Sequence, residues 1–327
     1  MLNLASSFDV IDSHTAGHPT RVILSGVPKL DGAGVLEKRE DFRARFDYLR
    51  SLLLHEPRGH AAMVGLVPVA SSVADYGAFF ISSYVYLDMC GHGTIGYART
   101  LAATGQIAPR LGDSFTLETP AGVVTVGLVW GANGDLAGVR LRNVPSYIGI
   151  ADLAVDFEAF GTVKADIVYG GMWYALVDAT VMGLELVPER VSELLRIGSA
   201  LKQTIKAAIA GRPEFAGAAA PSVLFYADGA PGEAVHFLVL ESNKFDRSPC
   251  GTGTAARVAQ LAVRGGLAAD GTYRARNILG VDFLARVAER TPDGAIVAEI
   301  EGMARLTAHS TIVLETSDPI AQGFLCR

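Results

Sequence analysis

Cys90 and Cys250 are each followed by Gly-x-Gly-Thr, in "MCGHGTIG" at 89–96 and "PCGTGTAA" at 249–256. At an offset of 160 residues, "CGHGTIGYARTLAATGQI" lies over "CGTGTAARVAQLAVRGGL", and Leu101/Leu261, Ala102/Ala262 and Gly105/Gly265 also match. A thiol at the first turn of a helix feels the positive end of the macrodipole and the unpaired backbone N–H groups, both of which favour the thiolate. The same N–H groups bind anions, and a glycine at the next position lets a carboxylate approach with no Cβ in the way. Two such helix starts facing each other would hold one carboxylate and set a sulfur on each side of its α-carbon. One thiolate would remove the α-proton and the other thiol return one, inverting the stereocentre; Cys90 and Cys250 would exchange base and acid roles with the enantiomer bound.

Other chemistry fits parts of this pattern. Gly91 to Gly96 matches Gly-x-Gly-x-x-Gly, "SYVYLDM" could be the strand before it, and Glu118 lies where a ribose-binding acid belongs, about 20 residues on. The second copy drops the third glycine and keeps the cysteine, so the duplication centres on the thiol. Cys90, His92 and Cys250 could ligate zinc, but no CxxC spacing accompanies them. Free cysteines commonly serve as small buried hydrophobes; two at equivalent places in a repeat point instead to function. No Gly-rich phosphate cup suggests pyridoxal phosphate, and the two-thiol chemistry needs neither cofactor nor metal.

These helix starts need a scaffold. Strand patterns "FDVIDSH" and "TRVILSG", a charged helix "EKREDFRARFDYLRSLLLH" and a strand "GAFFISSYVYLD" lead to the first cysteine. A helix follows from Gly91, with a glycine near its end, and then a hairpin in "SFTLETPAGVVTVGLVW". The style repeats from about residue 150: "VKADIVYGG", "WYALVDA", a helix from Pro188 to Ala210, "SVLFYAD" and "AVHFLVLES" lead to the second cysteine, with "GAAAPSVL" read as a surface loop. The period is too long for a solenoid. A duplicated α/β domain is expected: residues 1–150 carry Cys90, residues 151–309 carry Cys250, and 310–327 complete the first half.

With 327 residues, half of them hydrophobic, the chain can bury a large core, and its length favours two domains. No apolar run approaches the ~20 residues that span a bilayer, and the start lacks a signal-peptide pattern; a cytoplasmic location is expected. The net charge of −6 is mild and no Lys/Arg run marks a nucleic-acid or membrane footprint. Small molecules are the expected partners. Three cysteines without a CxxC pair suit a reducing compartment, and the penultimate Cys326 reads as incidental.

Nearly end to end, the motifs resemble the proline racemase family, which holds proline racemases, 4-hydroxyproline 2-epimerases and hydroxyproline dehydratases. The resemblance rests on "IDSHTAGHPTRV", "EPRGH" at 56–60, "MCGHGTIG", "YGGMWYALVDA" at 169–179, "DRSPCGTGT" at 246–254 and "DPIAQGF". It implies the diaminopimelate epimerase fold, two pseudo-symmetric α/β domains each with a curved sheet wrapped around a central helix. It further implies a cofactor-independent isomerase acting on proline or a hydroxyproline, and is compatible with a homodimer. By matching positions it makes Cys90 and Cys250 the catalytic pair, puts Gly91, His92, Gly251 and Thr252 around the substrate carboxylate, and gives Asp246 the ring nitrogen.

Several of these positions also have plainer readings. Asp246 could shape the turn before Pro249, His92 could be a structural hydrogen-bond donor, and Arg58 could pair with a carboxylate. His14 fits the pocket mouth or a strand-end hydrogen bond; Trp173 and Tyr174 fit a pocket wall or the core. Two cysteines argue against a dehydratase, because β-elimination needs one base and a departing hydroxyl. The resemblance carries a Ser after "EPRG" and a His in the strand aligned with "SVLFYAD" in the 4-hydroxyproline epimerases, where this chain has His60 and Ser222. It also carries Glu where this chain has His18. These departures lean away from the epimerase toward a racemase-like member and leave open a substrate outside both, and a non-catalytic imino-acid-binding homologue is the alternative outside enzyme chemistry.

Overall fold

Alternating apolar residues between Gly- and Pro-marked turns form eighteen strands, joined with four α-helices, in a computed structural model that describes residues 4–158, 160–216, 218–241, 244–268 and 271–326. The strands are β1 (Leu4–Thr15), β2 (His18–Ile23), β3 (Val64–Val69), β4 (Tyr76–Ser82), β5 (Tyr86–Leu87), β6 (Ser114–Thr119), β7 (Gly122–Trp130), β8 (Leu136–Arg142), β9 (Tyr147–Phe157), β10 (Gly161–Tyr169), β11 (Trp173–Asp178), β12 (Ser222–Asp228), β13 (Glu233–Glu241), β14 (Lys244–Asp246), β15 (Thr272–Asn277), β16 (Asp282–Arg290), β17 (Ile296–Gly302) and β18 (Ala304–Glu315). The helices are α1 (Val35–Leu54), α2 (Gly91–Ala103), α3 (Val191–Ala208) and α4 (Gly251–Arg264). The chain divides into two units, Met1–Leu141 with Gly302–Arg327, and Arg142–Glu301.

In the first unit the strands pair in the order β18-β1-β2-β3-β4-β6-β7-β8, with β5 a short strip on β4. In the second the order is β9-β10-β11-β12-β13-β15-β16-β17, with β14 on β13. The parallel pairs are β2/β3 and β4/β6 in one unit, β11/β12 and β13/β15 in the other, each bridged by a helix, as parallel crossovers require. The topologies coincide element for element. β18 fills in the first unit the edge position that β9 holds in the second.

Each unit has an outer and a central helix. Phe42, Leu49, Leu52 and Leu53 of α1 pack on Phe8, Val10, Phe79 and Ile81; Leu194, Ile197, Leu201 and Ile205 of α3, spaced along one helical stripe, pack on Ile167, Val177, Phe225 and Val239. The central α2 contacts β18, β1, β2 and β3, and the central α4 contacts β9, β10, β11 and β16, so that the second sheet curls around its helix. Close packing explains the small residues on both. A Cβ on Gly96 would fall 3.0 Å from Ser13 Oγ and 3.1 Å from Thr20, and Ala255, Ala256 and Ala259 of α4 are fully buried. Gly105 (φ +72°) and Gly265 (φ +74°), equivalent in the repeat, mark the two helix ends.

Departures from expectation are local. "SYVYLDM" yields only the two residues of β5, α2 ends at Ala103 rather than near Ile107, and Pro188–Arg190 form a 3-10 turn before α3. Residue 150 lies inside β9. In "GAAAPSVL", Gly217 falls outside the described residues, 218–221 are irregular and Ser222 opens β12. The chain's last segment is tied to "EPRG": Glu56 and Phe324 exchange backbone hydrogen bonds of 3.0 and 2.9 Å, and Arg58 forms an ion pair with Asp318 and donates to the Val313 carbonyl (3.2 Å). Arg21 in turn grips Asp12 (2.7 and 2.8 Å) and the carbonyls of Leu53 and Arg58 (2.6 Å each). Among the described residues no helix is long and apolar enough to cross a membrane.

Candidate active site

Cys90 is the N-cap of α2, with an extended backbone (φ −144°, ψ 107°). Its carbonyl accepts the Thr94 N–H and O–H, both at 2.9 Å, which closes the first turn. The thiol is buried, and the His92 ring lies beside it, with Nδ1 at 3.5 Å and Nε2 at 3.7 Å from Sγ. The tight β1–β2 hairpin, in which Ala16 and Gly17 both have positive φ, brings two further groups to this helix start. Thr15 Oγ1 donates to the His92 carbonyl (2.9 Å), and the buried His18 ring sits edge-on to His92 at 4.3 Å between centroids. A Cβ on Gly91 would meet only Leu141, at 3.7 Å; one on Gly93 would crowd Phe80 at 3.1 Å and the Cys90 sulfur at 3.2 Å.

Cys250 is the N-cap of α4, and its carbonyl accepts the Thr254 N–H at 2.8 Å. Its backbone is left-handed (φ +66°, ψ 112°), a conformation that costs a non-glycine residue on the order of 1–3 kcal/mol and survives where neighbours impose it. The imposing contacts are visible. Ser248 N–H and O–H donate to Asp246 Oδ1 (2.8 Å each), and Ser248 Oγ accepts the Cys250 N–H (3.1 Å). The Pro249 carbonyl takes the Nδ1–H of His236 (3.1 Å), whose Nε2 must then accept the Tyr273 O–H (2.8 Å). Burial, with the Arg257 charge adding to it, pushes His236 down to about 4 despite the Pro249 bond, so the ring is neutral.

The Cys250 sulfur accepts the Gly253 N–H at 3.3 Å and lies 3.5 Å from Tyr174 Oη and 3.6 Å from Thr252 Oγ1. Those two hydroxyls are 2.6 Å apart. Burial first, then the Asp246 charge, pushes the thiol up to about 12, against the pull of Tyr174, Gly253 and Thr252. Above Gly251 there is open space: a Cβ there would meet no heavy atom within 4 Å. Chemically each helix start offers a thiol, an unobstructed first-turn backbone suited to an anion, and polar side chains at the sulfur.

The first unit therefore gathers Cys90, Gly91 and His92, and the second gathers Asp246, Cys250, Gly251 and Thr252. Asp246 does shape the turn before Pro249, through Oδ1, and its charge also reaches the Cys250 sulfur. His14 Nδ1 accepts the Gly17 N–H (3.1 Å), a strand-end hydrogen bond. His60 is exposed, with Nδ1 accepting the Ala62 N–H (3.3 Å), and Ser222 is buried opposite Tyr174 in the β11/β12 pairing. Glu118 is occupied at the start of α1, accepting from Val35 N–H (3.0 Å) and Ser71 O–H (2.5 Å). Cys326 is exposed.

Trp173 and Tyr174 separate, as neighbours in a strand must. Trp173 joins Tyr147, Tyr169 and Phe215 in an aromatic cluster, and Tyr174 reaches the thiol. The sequence reading missed His236, Tyr273 and Ser248. Ser248 had a signal, since Asp-x-Ser before a proline is an Asx-turn pattern; His236 and Tyr273 meet Pro249 only through sheet pairing.

The proline racemase family profile matches residues 10–325. A 4-hydroxyproline 2-epimerase of Xanthomonas campestris is 39% identical, over 98% of this chain and 99% of its own length. One from Shewanella loihica is 36% identical over 98% and 99%. A crystal structure of a hydroxyproline epimerase from Agrobacterium vitis, with bound trans-4-hydroxy-L-proline, superposes with a TM-score of 0.84 at 26% identity, covering 99% of this chain and 97% of that one.

Proposed function

The chain belongs to the proline racemase family, and on that premise we propose that it is a cofactor-independent 4-hydroxyproline 2-epimerase using Cys90 and Cys250 as its two proton-transfer groups. What carries the thiol assignment is the equivalence of the two helix starts: each cysteine is an N-cap, followed by a glycine whose Cβ would meet nothing closer than 3.7 Å and, two residues later, by a glycine whose Cβ would stand 3.2 Å from the sulfur. Inversion needs one proton-transfer group for each face of the α-carbon, and the duplication supplies one each.

Each helix start can offer the substrate carboxylate its first-turn N–H groups, because a Cβ on Gly251 would meet no heavy atom within 4 Å and one on Gly91 only Leu141, at 3.7 Å. Asp246 takes the ring ammonium, whose charge needs a partner once water is excluded. That pairing matters to the thiol as well. The Asp246 charge helps push Cys250 up to about 12, and a cation bound against it cancels that push as the substrate arrives. In one direction Cys90 thiolate breaks the Cα–H bond and Cys250 S–H delivers its proton to the other face; in the reverse direction the roles exchange.

For the substrate, the names of the relatives outweigh the lean toward proline drawn from His18, His60 and Ser222. His60 is exposed, which weakens its part in that lean. The test is α-proton exchange in deuterated water, followed by NMR for trans-4-hydroxy-L-proline, L-proline and both 3-hydroxyprolines. Exchange with inversion on the 4-hydroxy compound is expected; turnover of proline alone would make this a proline racemase, and binding without turnover of any of them would refute an isomerase. A cytoplasmic location accompanies this reading.

A further inference from the structure

Turnover by two thiols requires the Cys250 sulfur to be stabilised both as thiolate and as thiol, and a fixed N–H such as that of Gly253 serves only the first state. We propose that Tyr174 is a further catalytic residue, whose hydroxyl, acting as a pair with that of Thr252, hydrogen-bonds the Cys250 sulfur in both of its protonation states. The proposal rests on the two-thiol reading above.

The geometry is a triangle: Tyr174 Oη to Thr252 Oγ1 2.6 Å, Tyr174 Oη to Sγ 3.5 Å, Thr252 Oγ1 to Sγ 3.6 Å. At 2.6 Å the two hydroxyls use one of their protons on each other. The second is left over, and both oxygens lie within reach of the sulfur. If Thr252 donates to Tyr174, the phenol O–H is free for Sγ; if Tyr174 donates to Thr252, the threonine O–H is free instead. A thiolate thus finds a donor in either arrangement, and a thiol finds an oxygen to donate to once a hydroxyl turns. No heavy atom moves and neither hydroxyl changes its charge.

Every charged or polar group facing this sulfur enters the balance. From β14 the Asp246 charge disfavours the thiolate; from α4 the Gly253 N–H and Thr252 hydroxyl favour it; from β11 Tyr174 favours it. Tyr174 is buried, and burial with the neighbouring Cys250 and Asp246 holds its phenol well above the usual range. It remains a neutral donor. When Cys250 acts as base, the Cα–H proton forms the new S–H bond, the electron pair stays on the α-carbon until Cys90 S–H protonates the other face, and the phenol keeps its own proton throughout.

The test is alkylation of each cysteine in Tyr174→Phe, read peptide by peptide by mass spectrometry as a function of pH, with Cys90 in the same sample as reference. Losing one hydrogen bond to a thiolate should raise the Cys250 midpoint by about one pH unit; the thiolate that remains is more nucleophilic, so below the midpoint Cys250 should slow about three- to fourfold, with Cys90 unchanged. The sign is informative, because a merely loosened site would make Cys250 react faster. An unchanged or faster Cys250 overturns the proposal. Should Tyr174→Phe not fold, 3-fluorotyrosine introduced at 174 keeps the shape with a more acidic phenol, and must accelerate Cys250; no change or a slowing overturns it. Cys250→Ser separates this from its premise. If that variant still inverts substrate, the two-thiol reading fails; if it is inactive and Tyr174→Phe leaves the Cys250 profile where it was, only the tyrosine's role fails.

Discussion

A methyl group on Gly251 would enter space that no heavy atom of the protein occupies within 4 Å, which is the space assigned above to the substrate carboxylate. Gly251 is the first residue of α4 and does not have a positive φ, so alanine is conformationally welcome there. Alanine exceeds glycine by up to ~1 kcal/mol in a helix interior and by less at the first turn. Gly251→Ala should therefore match or exceed the wild type by about 0.5 kcal/mol, a rise of roughly 1–2 °C in Tm. Its effect on turnover has the opposite sign. Displacing a carboxylate from one charge-assisted hydrogen bond forfeits about 1.5–3 kcal/mol, or roughly 10- to 150-fold in kcat/KM. Gly253→Ala is the comparison: its Cβ would press on the Cys250 sulfur at 3.2 Å, so it should lower kcat with little change in KM and bring no gain in Tm. Polarimetric kinetics and thermal unfolding on the two variants decide the matter. Wild-type kcat/KM in Gly251→Ala would refute carboxylate binding at this helix start, and a fall in Tm would refute the open space.

Cys90→Ser and Cys250→Ser should each abolish inversion while leaving α-proton exchange from one face, measurable by NMR in deuterated water; near-wild-type inversion by both contradicts the mechanism. His236, held at about 4 when folded against the usual 6.5, keeps the native state from binding a proton that the unfolded chain binds. Stability due to this ring is therefore present above about pH 6.5 and lost as pH falls toward 4, roughly 2 kcal/mol between about pH 7.5 and pH 5; urea titrations at both values should show that part of the loss missing in His236→Gln. Asp318→Asn deprives Arg58 of its ion-pair partner and should speed proteolytic clipping of the chain's last segment, while the second unit keeps its protection.

The parts of the fold that local sequence encodes were readable, and the parts that depend on pairing were not. The cysteine-led helices announced themselves through the glycines at both ends and the shared 160-residue offset. The hairpin of β6 and β7 followed from alternation around a Pro and Gly turn. The β1/β18 ladder joins Leu4 to Glu315 and Thr15 to Ala304; the return of the chain's end to the first half was expected, but nothing in either stretch gives this partner or register. Tyr174 shows the same limit at the site. Two adjacent aromatics in a strand face opposite sides, and periodicity does not say which faces the thiol when both are apolar enough for a core. Asp246 was harder still, because the turn-forming role and the charge felt at the sulfur belong to one carboxylate.

Divergence within the repeat follows a physical line. Anion binding at a helix start uses backbone N–H groups and an absent Cβ, and both copies keep these: N-cap cysteine, open glycine, and a threonine N–H closing the turn onto the cysteine carbonyl at 2.9 and 2.8 Å. The basicity of a thiol depends on its side-chain neighbours, and there the copies part. His92 stands where Thr252 does, the backbone is extended at Cys90 and left-handed at Cys250, and the Cys250 sulfur accepts the Gly253 N–H of its own helix. A substrate with a second stereocentre gives such a difference a use. The two epimers of 4-hydroxyproline are diastereomers, so the two faces of the α-carbon lie in unlike surroundings. Proton transfer at each then has its own energetic demand, which two thiols with separately adjustable neighbours can meet and two identical ones cannot.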